Sequence, residues 1–190
     1  DKLNGNLVMR KAKKGEQCKT LDEKEYKLSE EMIVISDDQS LHGIGGVMGG
    51  LASGCSLKTT KVFLEVALFD PISITKTGRK LNLQSDARYR FERGVDFTSI
   101  EWGVDVATQM ILNLCGGEES EIVFDKVDNP KPKLIQFDST LTTSYGGINI
   151  DVKDQIKILK NLGFETKSQK NTELEIIVPP FRPDIVGSAD

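Results

Sequence analysis

Apolar positions in this chain follow two patterns, short runs broken by Gly, Asp and Ser in the first half and helical spacing later. The runs at 7–10, 32–36 and 62–67 are rich in β-branched residues and predict strands. Residues 32–36 (MIVIS) are apolar almost throughout, the pattern of a strand buried on both faces under helices. Asp70-Pro71 predicts a helix start, with Asp as cap and Pro in the first turn. Ser85 predicts the cap of a short helix that Gly94 stops. The longest helix is expected over 97–115, capped by Asp96 and ended by Gly116-Gly117. Its residues Ile100, Val104, Ala107, Ile111 and Leu114 form one stripe at a 3.6-residue period, which predicts a face in the core.

At 127–133 (VDNPKPK) two prolines among charges and amides disfavour helix and strand and mark a linker. Beyond it a strand is expected at 134–137, then a short helix capped by Asp138. A helix over 151–162 carries Val152, Ile156, Leu159 and Leu162 on one face, and Gly163 stops it. Strands at 164–167 and 174–178 complete a winged-helix-like pattern. The organisation is thus 1–126, the linker, and 134–190. The class is α/β (α+β): a mixed sheet covered by helices, followed by a small winged-helix-like domain.

Composition narrows the chemistry. The 190 residues can form one large or two small cores. With 25 basic and 29 acidic side chains and a net charge of -4, the chain lacks the broad positive face of a stand-alone nucleic-acid binder. Arg10, Lys11, Lys13 and Lys14 form a local basic patch, read as a solvated strand end. The three cysteines are far apart and show no zinc or disulfide spacing, which fits a reducing, cytoplasmic setting. No apolar run approaches the ~18 residues of a membrane span. The opening DKLNG has neither Met nor a signal-like segment and is expected to belong to a longer chain.

Three places invite chemistry. The glycine cluster GIGGVMGG (43–50) fails the dinucleotide fingerprint at Met48 and lacks the Lys-Ser/Thr of a P-loop. It is either tight turns between strands or backbone exposed for close ligand approach. His42, the only histidine, has no nucleophile beside it in sequence and reads as packing. Glu65 stands inside the apolar VFLEVALF, where a carboxylate is costly unless it is solvated on an edge strand or faces a pocket. In 81–96 the hydroxyl of Ser85, the carboxylate of Asp86 and the small Ala87 suggest a pocket wall. A charged run of Arg88, Arg90, Glu92 and Arg93 follows, read as an ionic network either paired within the chain or facing a partner such as tRNA. Asp184 and Asp190, after a Pro-Pro-Phe-Arg turn, are a sparse set for a hard cation.

The strings IGGVMGG (44–50), VFLEVALFDPISI (62–74), LQSDARYRFERGVD (83–96), ILKNLGFE (158–165) and VPPFRPDI (178–185) occur in this order. Together they closely resemble the family of bacterial phenylalanyl-tRNA synthetase beta subunits, over essentially the whole chain. The resemblance implies a truncated B3/B4-type editing domain over 1–126 and a B5-type winged-helix-like domain over 134–190. It implies proofreading, the hydrolysis of tyrosine wrongly attached to tRNA(Phe). That activity would support ATP-dependent aminoacylation by the alpha subunit of a cytoplasmic alpha2beta2 heterotetramer.

On that resemblance Glu65 and Ser85 are the catalytic candidates, and Glu65, Ser85, Ala87, Gly49 and Gly50 bind the tyrosine or tyrosyl ester. The family usually has threonine where Ser85 stands, so the hydroxyl is kept and a methyl group is lost. A histidine of the family's site precedes Asp1, and His42 does not match it. Asp184 and Asp190 match the first two members of a magnesium-binding D…D…EE pattern at the junction with the alpha subunit. ATP is expected to be used by the alpha subunit and not bound here. The 190 residues alone are expected to hydrolyse little. The alternative is a non-catalytic tRNA- or subunit-binding scaffold with a vestigial pocket.

Overall fold

The short apolar runs at the start of the chain become antiparallel strands. The computed structural model describes residues 2–125 and 130–190. Its strands in the first half are β1 (Val8–Lys11), β2 (Gln17–Lys19), β3 (Glu25–Lys27), β4 (Ile33–Ser36), β5 (Leu41–Ile44) and β6 (Met48–Gly49). One sheet has the order β1-β4-β5-β6, and β2 and β3 pair by themselves. The expected α/β class is borne out, with the difference that every strand pairing among the described residues is antiparallel. These strands belong to a first unit that runs to Val95 and takes in Ser99–Ser120.

The near-continuous apolar run matches β4, where the adjacent Val34 and Ile35 point to opposite faces and both are buried. Met32, Val34, Ile44, Val47, Ile74 and Leu83 share one core cluster. Met32 is 0% exposed, so Met32→Ala is expected to cost about 3 kcal/mol of stability, read by urea unfolding of the protein. A loss under about 1 kcal/mol would mean that this site collapses around the void.

Three helices follow in the same unit: α1 (Pro71–Leu81), α2 (Asp86–Phe91) and α3 (Ser99–Cys115). Asp70 caps α1 as expected, its carboxylate accepting from Ser73 N at 2.7 Å. Ser85 caps α2, and Gly94 follows with φ 88°. Gly116 and Gly117, at φ 69° and 108°, end α3.

Two expectations fail in this unit. Residues 62–67 form no strand, and Val62 and Phe63 are 56% and 63% exposed. A strand needs a neighbour for its backbone groups, and the order β1-β4-β5-β6 supplies none for this segment. The apolar stripe of α3 is not core either: none of its residues is fully buried, and Leu114 is 80% exposed. Periodicity identifies an apolar face, but burial needs a surface to cover it. The other side of α3 is also apolar, with Trp102, Val106 and Met110 about half exposed.

The second unit, Asp96–Thr98 with Glu121–Asp190, contains β7 (Lys133–Asp138), α4 (Leu141–Gly146), α5 (Val152–Asn161), β8 (Glu165–Lys170) and β9 (Glu173–Val178). Its sheet has the order β7-β9-β8. Phe164, Leu174, Ile176, Val178 and Ile185 form the core, and Val152, Ile156 and Leu159 of α5 pack on it. Leu162, expected on the same face, is 54% exposed because α5 ends before it. Gly163 follows at φ 88°.

Asp138 does not cap α4. Thr140 occupies that place without a side-chain cap bond, and Asp138 accepts Thr140 N at 3.0 Å from the end of β7. The buried amide of Gln155 ties α5 to the start of α4, donating to Ser139 O, Thr142 Oγ1 and Ile150 O at 2.8–3.1 Å. Of the expected linker, residues 127–129 lie outside the described residues. Among the described residues, no helix is long and apolar enough to cross a membrane.

Candidate functional site

The glycine cluster resolves into two strands and a turn. Ile44 of β5 pairs with Met48 of β6, and the connection 45–47 is closed by Val47 N donating to Ile44 O at 3.0 Å. Gly46 takes φ 66°, and a methyl group there would lie 2.6 Å from Ile74 Cδ1 and 2.9 Å from Phe69. Backbone angle and crowding both demand glycine. The turn and ligand-approach readings prove compatible, since this hairpin also lines a cavity of about 600 Å³.

Glu65, Ala87 and Gly49 meet on the wall of that cavity, with Val47, Phe69 and Phe91 beside them. Residues 62–67 form no strand, so Glu65 reaches the cavity from an irregular segment. By surface area the residue counts as exposed, yet protein packed around its carboxylate pushes its pKa upward by desolvation. An open cavity mouth reconciles the two. A carboxylate so placed favours a hydrogen-bond donor arriving with a ligand.

Ser85 and Gly50 are not on the cavity lining. Ser85 accepts Arg88 N at 3.0 Å as helix cap, and its hydroxyl donates to Val47 O at 2.5 Å. A carbonyl only accepts, so the serine proton is committed, and one lone pair remains for another donor. Gly50 is buried behind the hairpin, donating to His42 O at 2.7 Å. A methyl there would come 2.9 Å from the same carbonyl oxygen.

The ionic network after Ala87 closes within the chain. Arg88 Nε meets Glu92 Oε2 at 3.0 Å, and Glu92 Oε1 meets Arg93 Nη1 at 3.0 Å. The Arg93 guanidinium stacks 3.8 Å from the Tyr89 ring centre, while Arg90 is exposed.

His42 has its Nε2 2.8 Å from Asp37 Oδ2, with side-chain exposures of 8% and 0%. The N–H of Gln39 first, then His42, hold the Asp37 carboxyl well below the usual carboxylate range. Asn4 N and Ser40 N also donate to it, at 2.7 Å each. His42 thus clasps the turn before β5 and is also on the lining of the cavity.

Sequence reasoning missed Phe69 and Phe91, which meet edge to face with centroids 5.1 Å apart beside the cavity. A signal existed for Phe69. It immediately precedes the Asp70 cap, with Ile74 at the fourth helical position, the pattern of a hydrophobic staple. It missed Val47 O as well, which no side-chain pattern marks.

Asp184 and Asp190, the magnesium candidates, lie near enough for Asp184 to act on the Asp190 carboxyl, and each is engaged by groups of the chain. Arg182 grips both oxygens of Asp184, Nε to Oδ1 at 2.8 Å and Nη2 to Oδ2 at 2.7 Å, and lowers its pKa. Asp190 Oδ2 accepts Gly187 N at 2.8 Å and Val186 N at 2.7 Å, which lowers its pKa too. Among the described residues, no group of three His, Cys, Asp or Glu side chains is arranged to hold a metal.

Known proteins account for this layout. Residues 1–116 match the family model described as the B3/4 domain, and 135–190 match the tRNA synthetase B5 domain. Relatives include the phenylalanine--tRNA ligase beta subunits of Novosphingobium aromaticivorans, 46% identical over 189 residues, and Mesorhizobium japonicum, 44% identical over 190 residues. That of Cereibacter sphaeroides is 45% identical over 190 residues. Each match covers 100% of this chain and 23% of the relative, so the chain spans about a quarter of those proteins' length. With a cavity on the β5–β6 hairpin in one unit and a three-stranded sheet covered by α5 in the other, the chain belongs to the B3/4 domain family and carries a tRNA synthetase B5 domain after it.

Proposed function

We propose that the first unit is the hydrolytic editing module of a phenylalanine--tRNA ligase beta subunit, removing tyrosine wrongly joined to tRNA(Phe). The observation that carries this reading is the meeting of Glu65, Ala87 and the Gly49 backbone on one cavity wall. Tyrosine differs from phenylalanine by one hydroxyl, and Glu65 offers an acceptor for it in surroundings that resist an unpaired charge. Ala87 leaves room for the ring, and Gly49 lets the backbone approach the ligand.

In the reaction, water oxygen attacks the ester carbon, the bond to the ribose oxygen breaks, and that oxygen takes up the proton. Ser85 acts by holding Val47, a residue of the cavity wall. In this reading the full protein works in the cytoplasm with an alpha subunit, which uses ATP and magnesium to attach phenylalanine. The B5 unit contributes tRNA or subunit contacts.

The test is release of tyrosine from Tyr-tRNA(Phe) by the full-length synthetase. Hydrolysis well above the uncatalysed rate is expected. Background-level release would favour the scaffold with a vestigial pocket.

A further inference from the structure

We infer that Arg88 is a positioning residue for this cavity, fixing Ala87 directly and the β5–β6 turn through Ser85. The activity part of the inference rests on the editing reading; the geometry does not. Arginine is seldom buried, because a guanidinium removed from water must have its N–H groups met. Arg88 is only 6% exposed. Its Nη1 donates to Leu83 O at 2.7 Å and its Nε to Glu92 Oε2 at 3.0 Å. Its backbone N donates to Ser85 Oγ at 3.0 Å, and that hydroxyl passes its own proton to Val47 O at 2.5 Å. One residue therefore grips the bend 83–87 twice, at its entrance by the side chain and at its middle by the amide.

The guanidinium also lies across α1. A methyl group on Gly78 would come 2.2 Å from Arg88 Nε and 2.3 Å from Cδ. Glycine is a poor residue inside a helix, and here it opens the slot that the arginine fills. An arginine that only strengthened α2 would need its pair with Glu92, four residues on, and nothing more. This one spans α1, the bend and α2, and Ala87 beside it lines the cavity.

The test uses the full-length synthetase with three variants. Arg88→Met keeps the stem and removes the fork, Arg88→Lys keeps the charge, and Gly78→Ala displaces the guanidinium without altering any cavity residue. Amide hydrogen exchange at 45–49, measured well below each melting midpoint, is expected to accelerate about tenfold in Arg88→Met and Gly78→Ala. Arg88→Lys should fall between these and the parent. Tyrosyl-ester kcat/KM should drop by about tenfold or more in the same order. Unchanged exchange at 45–49 overturns the positioning role, and so does acceleration no greater there than in β4. If Arg88→Met fails to fold, Gly78→Ala carries the test, since alanine favours the helix. Parent protein without hydrolysis would remove the editing reading, while the exchange result would still decide the role of Arg88.

Discussion

Replacing Glu65 by alanine is expected to bring hydrolysis of tyrosyl and phenylalanyl esters to within about tenfold of each other, from a ratio on the order of 10⁴. The larger figure is typical of sites that read a hydroxyl by hydrogen bonding, because the wrong ligand leaves a buried acceptor unmet. Alanine removes the acceptor, so both rings meet the same apolar wall. Glu65→Gln should give an intermediate ratio, since its amide oxygen still accepts. The pH dependence has a definite sign. Desolvation raises the Glu65 pKa, so it takes up a proton at higher pH than an exposed glutamate near 4.3. Discrimination should therefore fade as pH drops through that raised value, and Glu65→Gln should be flat over the same range. Single-turnover deacylation of the two esters across pH measures both effects. An unchanged ratio in Glu65→Ala would remove Glu65 as the reader of the hydroxyl.

Filling the floor of the cavity should act differently. Ala87→Phe is expected to lower tyrosyl-ester hydrolysis by about 100-fold or more, since displacement of the reacting groups by an ångström costs that much. Ala87 is half-buried on α2 and faces the same 600 Å³ cavity as Phe91, one turn further on. A benzyl group there competes for the volume the substrate ring needs. The cap at Ser85 and the pairing of Arg88 with Glu92 are untouched, so the melting temperature should change little. Ala87→Gly, which only enlarges the space, should retain most activity. Near-parental hydrolysis by Ala87→Phe would mean that the ligand does not reach this part of the wall.

Features that depend on neighbours in sequence were legible. Asp70 and Ser85 bond to amides three residues ahead, and Gly94, Gly116 and Gly163 take the positive φ that ends a helix. The strands β4 and β9 also followed from their apolar runs, because both are covered on two sides or paired on both edges. Residues 62–67 carried the same signal without a partner strand, so propensity alone misassigned them. The pair β2 and β3 gave the opposite error. Gln17, Lys19, Glu25 and Lys27 are too polar to announce strands, yet the two arms pair with each other and Lys19 O accepts Leu51 N from the chain after β6.

At the cavity, Glu65 and Ala87 were legible as residue types out of keeping with their surroundings, an acid among apolar residues and a small residue before a charged run. The engagement of the Ser85 hydroxyl by Val47 O was not, because a backbone carbonyl carries no residue identity. The burial of Arg88 against Gly78 was hidden for a related reason. Its cause is a missing side chain on another helix.

The bond from Ser85 to Val47 joins positions 38 residues apart. The β5–β6 hairpin and the short helix α2 are each local and can form by themselves in the folding chain. Their junction cannot form until the intervening loop has closed and its entropy has been lost. Assembly of the cavity wall is thus a late event in folding, and a nascent chain can hold all its helices and hairpins before it has a pocket.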